Sequence, residues 1–243
     1  MEIVAIIPVS GRETLLKHTV ARLKKQTIPI RVMCCGHTDS EREVCEEGGA
    51  EFIQVASDVL TGTKWQMMVN LSKEKYNPDA LLILGSANFI SDNWCEEMTK
   101  YLVDGVKLVG VMGLYYMHIW FNGKPTMYYF PGYPVGHIRH GETVGIGRII
   151  PRSTLEALDW KLFEDVRRSN DSYMMRNINR VQGVIAKVTD APICAMRISS
   201  PKWKQLNSFN AFPQIFKNIR WLDANEINHF LLNNFPEAVN LEL

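Results

Sequence analysis

The most constraining feature of this chain is an alternation over its first 110 or so residues. Short continuous apolar runs, "EIVAIIPV", "IRVMCC", "AEFIQV", "ALLILG" and "KLVGVMGLYY", are separated by stretches whose apolar residues recur at helical spacing. A run without polar alternation reads as a strand covered on both faces, and helices on both sides of a sheet supply that cover. "RETLLKHTVARLKKQ" places Leu15, Leu16, Thr19, Val20 and Leu23 on one helical stripe. "SEREVCEEGG" reads as a short helix closed by glycine and "GTKWQMMVNLSKEKY" as a longer one, which Pro78 prevents from continuing. "SDNWCEEMTKYLVDG" reads as a helix capped at Ser91 and stopped at Gly105. Four βα units in series predict an α/β fold with a mostly parallel sheet flanked by helices. Ligands of such sheets bind beyond the carboxyl ends of the strands. Here those ends are Pro8-Val9-Ser10, Cys35 to Asp39, and Gly85-Ser86-Ala87-Asn88.

After about residue 113 the pattern changes. "YYMHIWFNGKPTMYYFPGYPVGHIRHG" is aromatic and turn-rich, with Asn122-Gly123 as a hairpin turn. "VGIGRIIPRSTLEAL" reads as a strand and then a helix from near Ser153, "FEDVRRSNDSYMMRNINRV" as a helix, and "VIAKVTDAPICAMRI" as a hairpin or strand pair. "QIFKNIRWLDANEINHFLLNNF" reads as two short helices. No repeat or linker interrupts the chain, which predicts one domain over residues 1–243 with two sub-regions meeting near residue 112.

With 46% hydrophobic and 22% charged residues, general disorder is excluded. A net charge of +1 points to neither a nucleic acid nor a membrane. From His137 to Lys204, however, 12 Lys and Arg face 7 Asp and Glu, an excess that suits an anionic substrate or a solvated basic face. Five cysteines without a CxxC pair predict reduced thiols and no structural zinc. The N-terminus lacks a signal-peptide pattern, and no run approaches the roughly 20 apolar residues of a membrane span. The sequence therefore reads as a soluble cytoplasmic protein without membrane insertion.

Several strings, in this order, resemble the family-2-like inverting glycosyltransferases of the GT-A fold. "VAIIPVSGRETLLKHTVARLKKQ" is similar to that family's opening strand, polar loop and helix. "CCGHTDSE" stands where the family has Asp-Asp-Gly-Ser-Thr-Asp; Gly36, Thr38 and Asp39 match, and Cys34 and Cys35 replace the two acids. "GTKWQMMVN" matches a donor-facing helix start through Gly62, Lys64 and Asn70. "LLILGSANFISDNW" matches the segment of the metal-binding Asp-x-Asp, here degenerate, through Trp94. "VGIGRIIPRSTLEAL" is similar to the glycine-rich strand and helix lining the acceptor cleft. "FEDVRRSNDSYMMR" is similar to the second acidic motif, with Asp171 at the catalytic base and Arg176 at its arginine. The resemblance spans about residues 3–200. It implies a GT-A-like, Rossmann-related sheet, with a nucleotide-sugar-binding half over about 1–112. A smaller mixed acceptor-binding half with C-terminal helices would occupy about 113–243.

Glycosyl transfer needs a base within reach of the nucleophile, positive charge on the leaving diphosphate, and a floor for the nucleotide. The resemblance places the donor over Pro8, Ser10, Arg12, Asp39 and Lys64, with Ser86 and Asn88 near ribose and phosphates. It makes Asp171 the base, with Glu164 and Asp165 as rival carboxylates; on sequence alone Asp171 reads more readily as a solvated helix acid or N-cap. Arg197, Lys202 and Lys204, the lysines flanking Trp203, are candidates for the diphosphate, or form an exposed basic loop. Trp94, His137, His140 and Gly145 are assigned to the acceptor; two histidines three apart without a third ligand do not make a metal site. The aromatic cluster Tyr115, Tyr116, Trp120, Tyr128, Tyr129 and Tyr133 serves core packing or sugar stacking.

Gly85 to Asn88 offers only neutral groups, whereas hard divalent cations want carboxylate oxygens. No metal and no cofactor beyond the donor is therefore expected, a UDP-sugar being the family default. The leading expectation is an inverting, metal-independent glycosyltransferase acting on a glycan, a small molecule or a modified nucleic acid. The alternatives are a non-catalytic GT-A-like glycan- or nucleotide-binding domain, a phage-type DNA-base glycosyltransferase, and a sugar-nucleotide pyrophosphorylase. The last wants a glycine-rich signature where "PVSGRE" has one glycine.

Overall fold

The computed structural model describes residues 1–120, 122–167, 169–200, 213, 219–239 and 241. The alternation is realised as β1 (Ile3–Pro8), α1 (Glu13–Lys24), β2 (Arg31–Gly36), α2 (Asp39–Glu47), β3 (Glu51–Gln54), α3 (Thr61–Lys75) and β4 (Ala80–Ile83). The chain continues through β5 (Asn88–Ile90), α4 (Trp94–Thr99), β6 (Val106–Val111), β7 (Leu114–Ile119), β8 (Pro125–Phe130), β9 (Arg148–Pro151) and α5 (Arg152–Ala157). It then forms α6 (Asn170–Asn179), β10 (Val184–Val188), β11 (Ala195–Ser199), β12 (Arg220–Trp221), α7 (Ala224–Asn234) and a 3-10 turn at Pro236–Ala238.

A seven-stranded sheet runs β10-β6-β9-β4-β1-β2-β3. Its inner strands β1, β2, β4, β6 and β9 are buried on both faces, whereas the edge strands β3 and β10 are only partly covered. Ile3, Ala5 and Ile7 of β1 pack with Leu16, Val20 and Leu23 of α1 and with Trp94 and Met98 of α4. Val4 and Ile6 face the other side, with Trp65, Met68 and Val69 of α3, Leu155 of α5 and Met174, Met175 and Ile178 of α6. Cys34 and Cys35 fall on opposite faces of β2 and are fully buried apolar residues of the two cores.

A five-stranded mixed sheet, β12-β8-β7-β11-β5, stands at the carboxyl edge of the first. Its strands β5, β7 and β11 follow directly from the carboxyl ends of β4, β6 and β10. Phe89, Met117, Met127, Met196 and Ile198 on one face of this sheet pack against Ile227 and Leu231 of α7 and against Phe235. Buried Arg22 of α1 pins this layer to the first. Its guanidinium contacts Asp92 at 2.9 Å, Glu237 at 2.6 Å and the carbonyls of Ile90 and Asn234, and it lies 4.6 Å from the centre of the Phe235 ring.

Several sequence expectations are corrected by this two-sheet arrangement. The large sheet has four parallel pairings, but β9 runs antiparallel to both β4 and β6. The chain re-enters from the small sheet at the carboxyl edge, so β9 must run back against its neighbours. For the same reason "KLVGVMGLYY" is two strands broken at Met112-Gly113, and "VIAKVTDAPICAMRI" is not a hairpin: β10 pairs with β6, and β11 pairs with β5 and β7 in the other sheet. Helix α4 starts at Trp94 and α6 at Asn170, both later than their expected starts. Of the segment expected to be two short helices, residues 214–218 lie outside the described residues, and the rest contributes β12 and then helix α7. The Asn122-Gly123 hairpin is present, joining β7 to β8, with Gly123 at φ +76°.

Candidate active site

The loop from β1 to α1 turns sharply at Gly11 and Arg12, both left-handed, at φ +67° and +68°. A non-glycine residue held there carries strain, which concentrates at ligand sites. What holds it is Glu41 in the first turn of α2. Its fully buried carboxylate accepts hydrogen bonds from the backbone N–H of Gly11 (2.6 Å), His37 (2.7 Å) and Thr38 (3.1 Å). Burial by itself would raise the Glu41 pKa, but these three donors and nearby His37 keep it below the ordinary carboxylate value. Glu41 was not singled out in the sequence; its only signal was the Thr38-x-x-Glu41 capping-box spacing, which is realised. It supplies a buried acid just beyond the carboxyl end of β2, whose Cys34 and Cys35 are core residues.

Arg12, so placed, has a buried Nε without a hydrogen-bond partner. Burial, and secondly the charge of Arg197, push its guanidinium down to about 10. Two cations close enough to oppose each other form a site that an anion would relieve. Arg197 reaches this point because β11 pairs with β5, aligning Arg197 with Asn88. Tyr128, pushed upward by burial, also senses Arg197. Ser86 is buried with its Oγ unpartnered, while its carbonyl accepts a bond from Thr19 at 3.2 Å. Gly85 leaves room for the Asn88 amide, whose Nδ2 would lie 2.8 Å from an added Cβ.

A divalent metal does not fit at Gly85 to Asn88, where one hydroxyl and one amide are the only side-chain donors. Among the described residues no group of three or more His, Cys, Asp and Glu could hold a metal ion.

The acidic part of the site is built on β9 and α6. Arg148 starts β9 beside Ile83, the last residue of β4. It is fully buried, and its Nε donates to Thr143 Oγ at 3.0 Å and its Nη2 to the Thr143 carbonyl. Its Nη1 donates to Oδ1 of Asp171, in the first turn of α6. Arg139, on the loop after β8, donates from Nη2 to Oδ2 of the same carboxylate. Burial would raise the Asp171 pKa; Arg148 and then Arg139 outweigh it and hold the carboxyl below its usual range. The side chain is 32% exposed. Gly145 passes over it, an added Cβ lying 3.1 Å from Asp171 Cγ and Oδ1. The cap before α6, Ser169, is also left-handed, at φ +62°, one of five such non-glycine residues among those described. Neither Arg139 nor Arg148 was picked out in the sequence, because each acts through a distant carboxylate.

The remaining candidates are distributed as follows. Pro8 ends β1 and Ser10 is exposed just beyond it. Lys64 is buried and donates to the Val9 carbonyl at 3.0 Å, fastening the end of β1. Asp39 is exposed and pairs with Arg42 at 2.7 Å. Trp94 is fully buried, its indole donating to the Gly147 carbonyl at 2.9 Å, so it supports the Gly145–Gly147 segment before β9 from within and presents no face to an acceptor. His137 stacks on Tyr133 at 5.0 Å, and His140 Nδ1 lies 3.1 Å from the Tyr133 carbonyl; both belong to the Arg139 loop. The rival Asp165 is engaged by Thr63, and the Glu164 carbonyl packs on Gly62. Lys202 and Lys204, with Trp203, lie outside the described residues. The site therefore brings Arg12, Ser86, Asn88, Arg197 and Asp171 to one edge.

No protein-family model matches the sequence, and no curated protein matches it. Among solved structures, the chain is similar to S. aureus TarS, with TM-score 0.60 and 14% identity over 83% of this chain and 37% of that one. It is similar to TarS residues 1–349, with TM-score 0.61 and 13% identity over 82% of this chain and 60% of that one. It is also similar to glucosyl-3-phosphoglycerate synthase from Mycobacterium tuberculosis in complex with phosphoglyceric acid, with TM-score 0.51 and 11% identity over 77% and 69% of the two chains. The chain thus spans less than two thirds of the length of either TarS structure. At these identities the likeness establishes the fold, which is GT-A-like. Among the described residues no helix is long and apolar enough to cross a membrane.

Proposed function

We propose that this chain, on its GT-A-like glycosyltransferase fold, transfers a sugar from a nucleotide-sugar donor to a hydroxyl acceptor, by inverting displacement and without a divalent metal. One observation carries the reading. Arg12, with a buried unpartnered Nε, senses the charge of Arg197, which is aligned with Asn88; buried Ser86, its Oγ also unpartnered, follows β4 at the same sheet edge as the Asp171 carboxylate. A nucleoside diphosphate supplies anionic charge between the arginines beyond what Glu41 gives Arg12. The nucleoside lies along Pro8, Ser10 and Asp39, with Lys64 fixing the strand end. Arg12, Ser86, Asn88 and Arg197 take the diphosphate, aided by Lys202 and Lys204. The acceptor enters over Gly145 beside His137 and His140, and Asp171 takes its proton as the anomeric carbon–phosphate oxygen bond breaks. Binding of phosphoglyceric acid by the mycobacterial neighbour makes a small anionic acceptor one class to try.

The test combines stability and turnover. UDP-glucose at saturation should raise the melting temperature by about 5–10 °C, equally with Mn²⁺ or EDTA. Asp171→Asn should keep that shift while release of UDP falls by about 10²-fold or more. No shift with any nucleotide sugar, or complete loss of turnover in EDTA, refutes the reading. A shift without turnover in the wild type would instead identify a donor-binding domain, a reading favoured by the engagement of both Asp171 oxygens.

A further inference from the structure

Asp171 is poorly disposed to act as a base while both its oxygens are ion-paired, and its two partners are not equivalent. Arg148 is fully buried on a strand and tied twice to Thr143. Arg139 is 20% exposed and sits on the loop between β8 and β9. The backbone bonds within residues 134–142 are local turns: His137 to Pro134, His140 to His137 and Glu142 to Arg139. Gly136 and Gly141 bracket the segment in left-handed conformations, at φ +87° and +80°, and an added Cβ at Gly136 would meet nothing within 4 Å. Val135 and Ile138 on the same segment are 86% and 95% exposed, so few core contacts hold it in place.

Arg139 also has somewhere to go. Its Nε donates to Glu142 at 2.7 Å and its guanidinium lies over the Tyr133 ring at 4.5 Å. Both partners belong to the same loop. Withdrawal from Asp171 therefore leaves the guanidinium paired and stacked, which removes the main penalty of breaking a half-buried ion pair.

We propose that Arg139 is a displaceable latch on Asp171: in the empty site it occupies Oδ2, and the arriving acceptor hydroxyl replaces it as the donor to that oxygen. Arg139 is a positioning residue, and its role rests on Asp171 being the base of the proposed transfer. The step then closes in atoms and electrons. The acceptor O–H proton passes to Oδ2, and the acceptor oxygen's electron pair forms the bond to the anomeric carbon. The bond from that carbon to the diphosphate oxygen breaks, and its pair leaves on the diphosphate. Arg148 remains on Oδ1 throughout, keeping the carboxylate oriented and charged until the proton arrives. The ionisable groups around this point are Arg139, Glu142, Tyr133 and His137 of the loop, Arg148 of β9, and Lys187 of β10, whose Nζ would lie 3.4 Å from a Cβ at Gly141.

The experiment uses water as acceptor, since donor hydrolysis needs no knowledge of the natural one. UDP release from UDP-glucose is followed against pH for the wild type, Arg139→Gln and Arg139→Lys, with the Asp171 carboxyl titrated by ¹³C NMR in each. Losing the latch should raise hydrolysis several-fold at neutral pH. It should also move both the acid limb and the Asp171 titration up by roughly one pH unit. Arg139→Lys, which keeps the charge but not the fork, should lie between, and guards against a glutamine variant that misfolds. If the wild type hydrolyses UDP-glucose while Arg139→Gln is slower or has an unmoved acid limb, the latch is wrong and the transferase reading stands. If the wild type releases no UDP from any sugar nucleotide although the Asp171 titration shifts, the transferase reading fails and the latch falls with it.

Discussion

Glu41→Gln tests the physical basis of the donor side of the site. The carboxylate is fully buried and accepts three backbone N–H groups, Gly11 on Oε1 and His37 and Thr38 on Oε2. Glutamine can keep one oxygen acceptor. Its NH₂ must then face at least one of the remaining N–H donors, which strands that donor without water. An unsatisfied buried donor costs about 1–3 kcal/mol, and the bonds lost are to a charged acceptor, worth about 1.5–3 kcal/mol each. A loss of about 2–5 kcal/mol follows, on the order of 10 °C in melting temperature for a chain of this length. The sign with pH is also determined. The folded pKa of Glu41 lies below its unfolded value, so its stabilisation is complete above the ordinary glutamate range and disappears as pH falls through the depressed folded value. Urea or thermal unfolding at pH 7 and at stepwise lower pH should therefore show a wide gap between wild type and variant that narrows in acid. Because Glu41 holds the Gly11-Arg12 turn, the variant should also lose affinity for UDP at neutral pH. A melting temperature within a degree or two of wild type, or a gap that persists unchanged in acid, refutes the argument.

Other expectations concern neighbouring positions. Arg12→Ala and Arg197→Ala should each weaken UDP binding by about tenfold or more, with a shallower salt dependence, measured by calorimetry at two ionic strengths. Gly147→Ala puts a Cβ 2.5 Å from the buried Trp94 ring at φ +65° and should destabilise the fold by about 2–4 kcal/mol in urea unfolding. Gly62→Ala places its Cβ 1.9 Å from the Glu164 carbonyl and 2.7 Å from Asn170 Oδ1, so it should both destabilise the protein and slow turnover by displacing the start of α6. Arg22→Ala strands Glu237 and two carbonyls in a part-buried junction and should cost about 3 kcal/mol, read as a lower urea midpoint.

The alternation of apolar runs and helical stripes sufficed for the layered α/β frame, because strands buried on both faces leave no other cover than helices. It also located the carboxyl ends of the strands at Pro8-Val9-Ser10 and Gly85 to Asn88, whereas Asp171, in the first turn of α6, came from the family resemblance alone. Periodicity describes only what each segment buries locally, so it could not say which strands pair. The antiparallel return of β9, the departure of β11 to a second sheet and the buried position of Trp94 follow from pairings between residues far apart in the chain. The charge pattern of the site has the same origin. Glu41 reads in sequence as a helix acid, and Arg139 and Arg148 as two basic residues among 27. Their work depends on a turn 30 residues from Glu41 and on a carboxylate 32 and 23 residues from the arginines. The sequence by itself determined the layered α/β frame and where its strands end. Only the tertiary structure decided which side chains face one another, since electrostatic coupling depends on distance in space and on burial, and neither is encoded by neighbours along the chain.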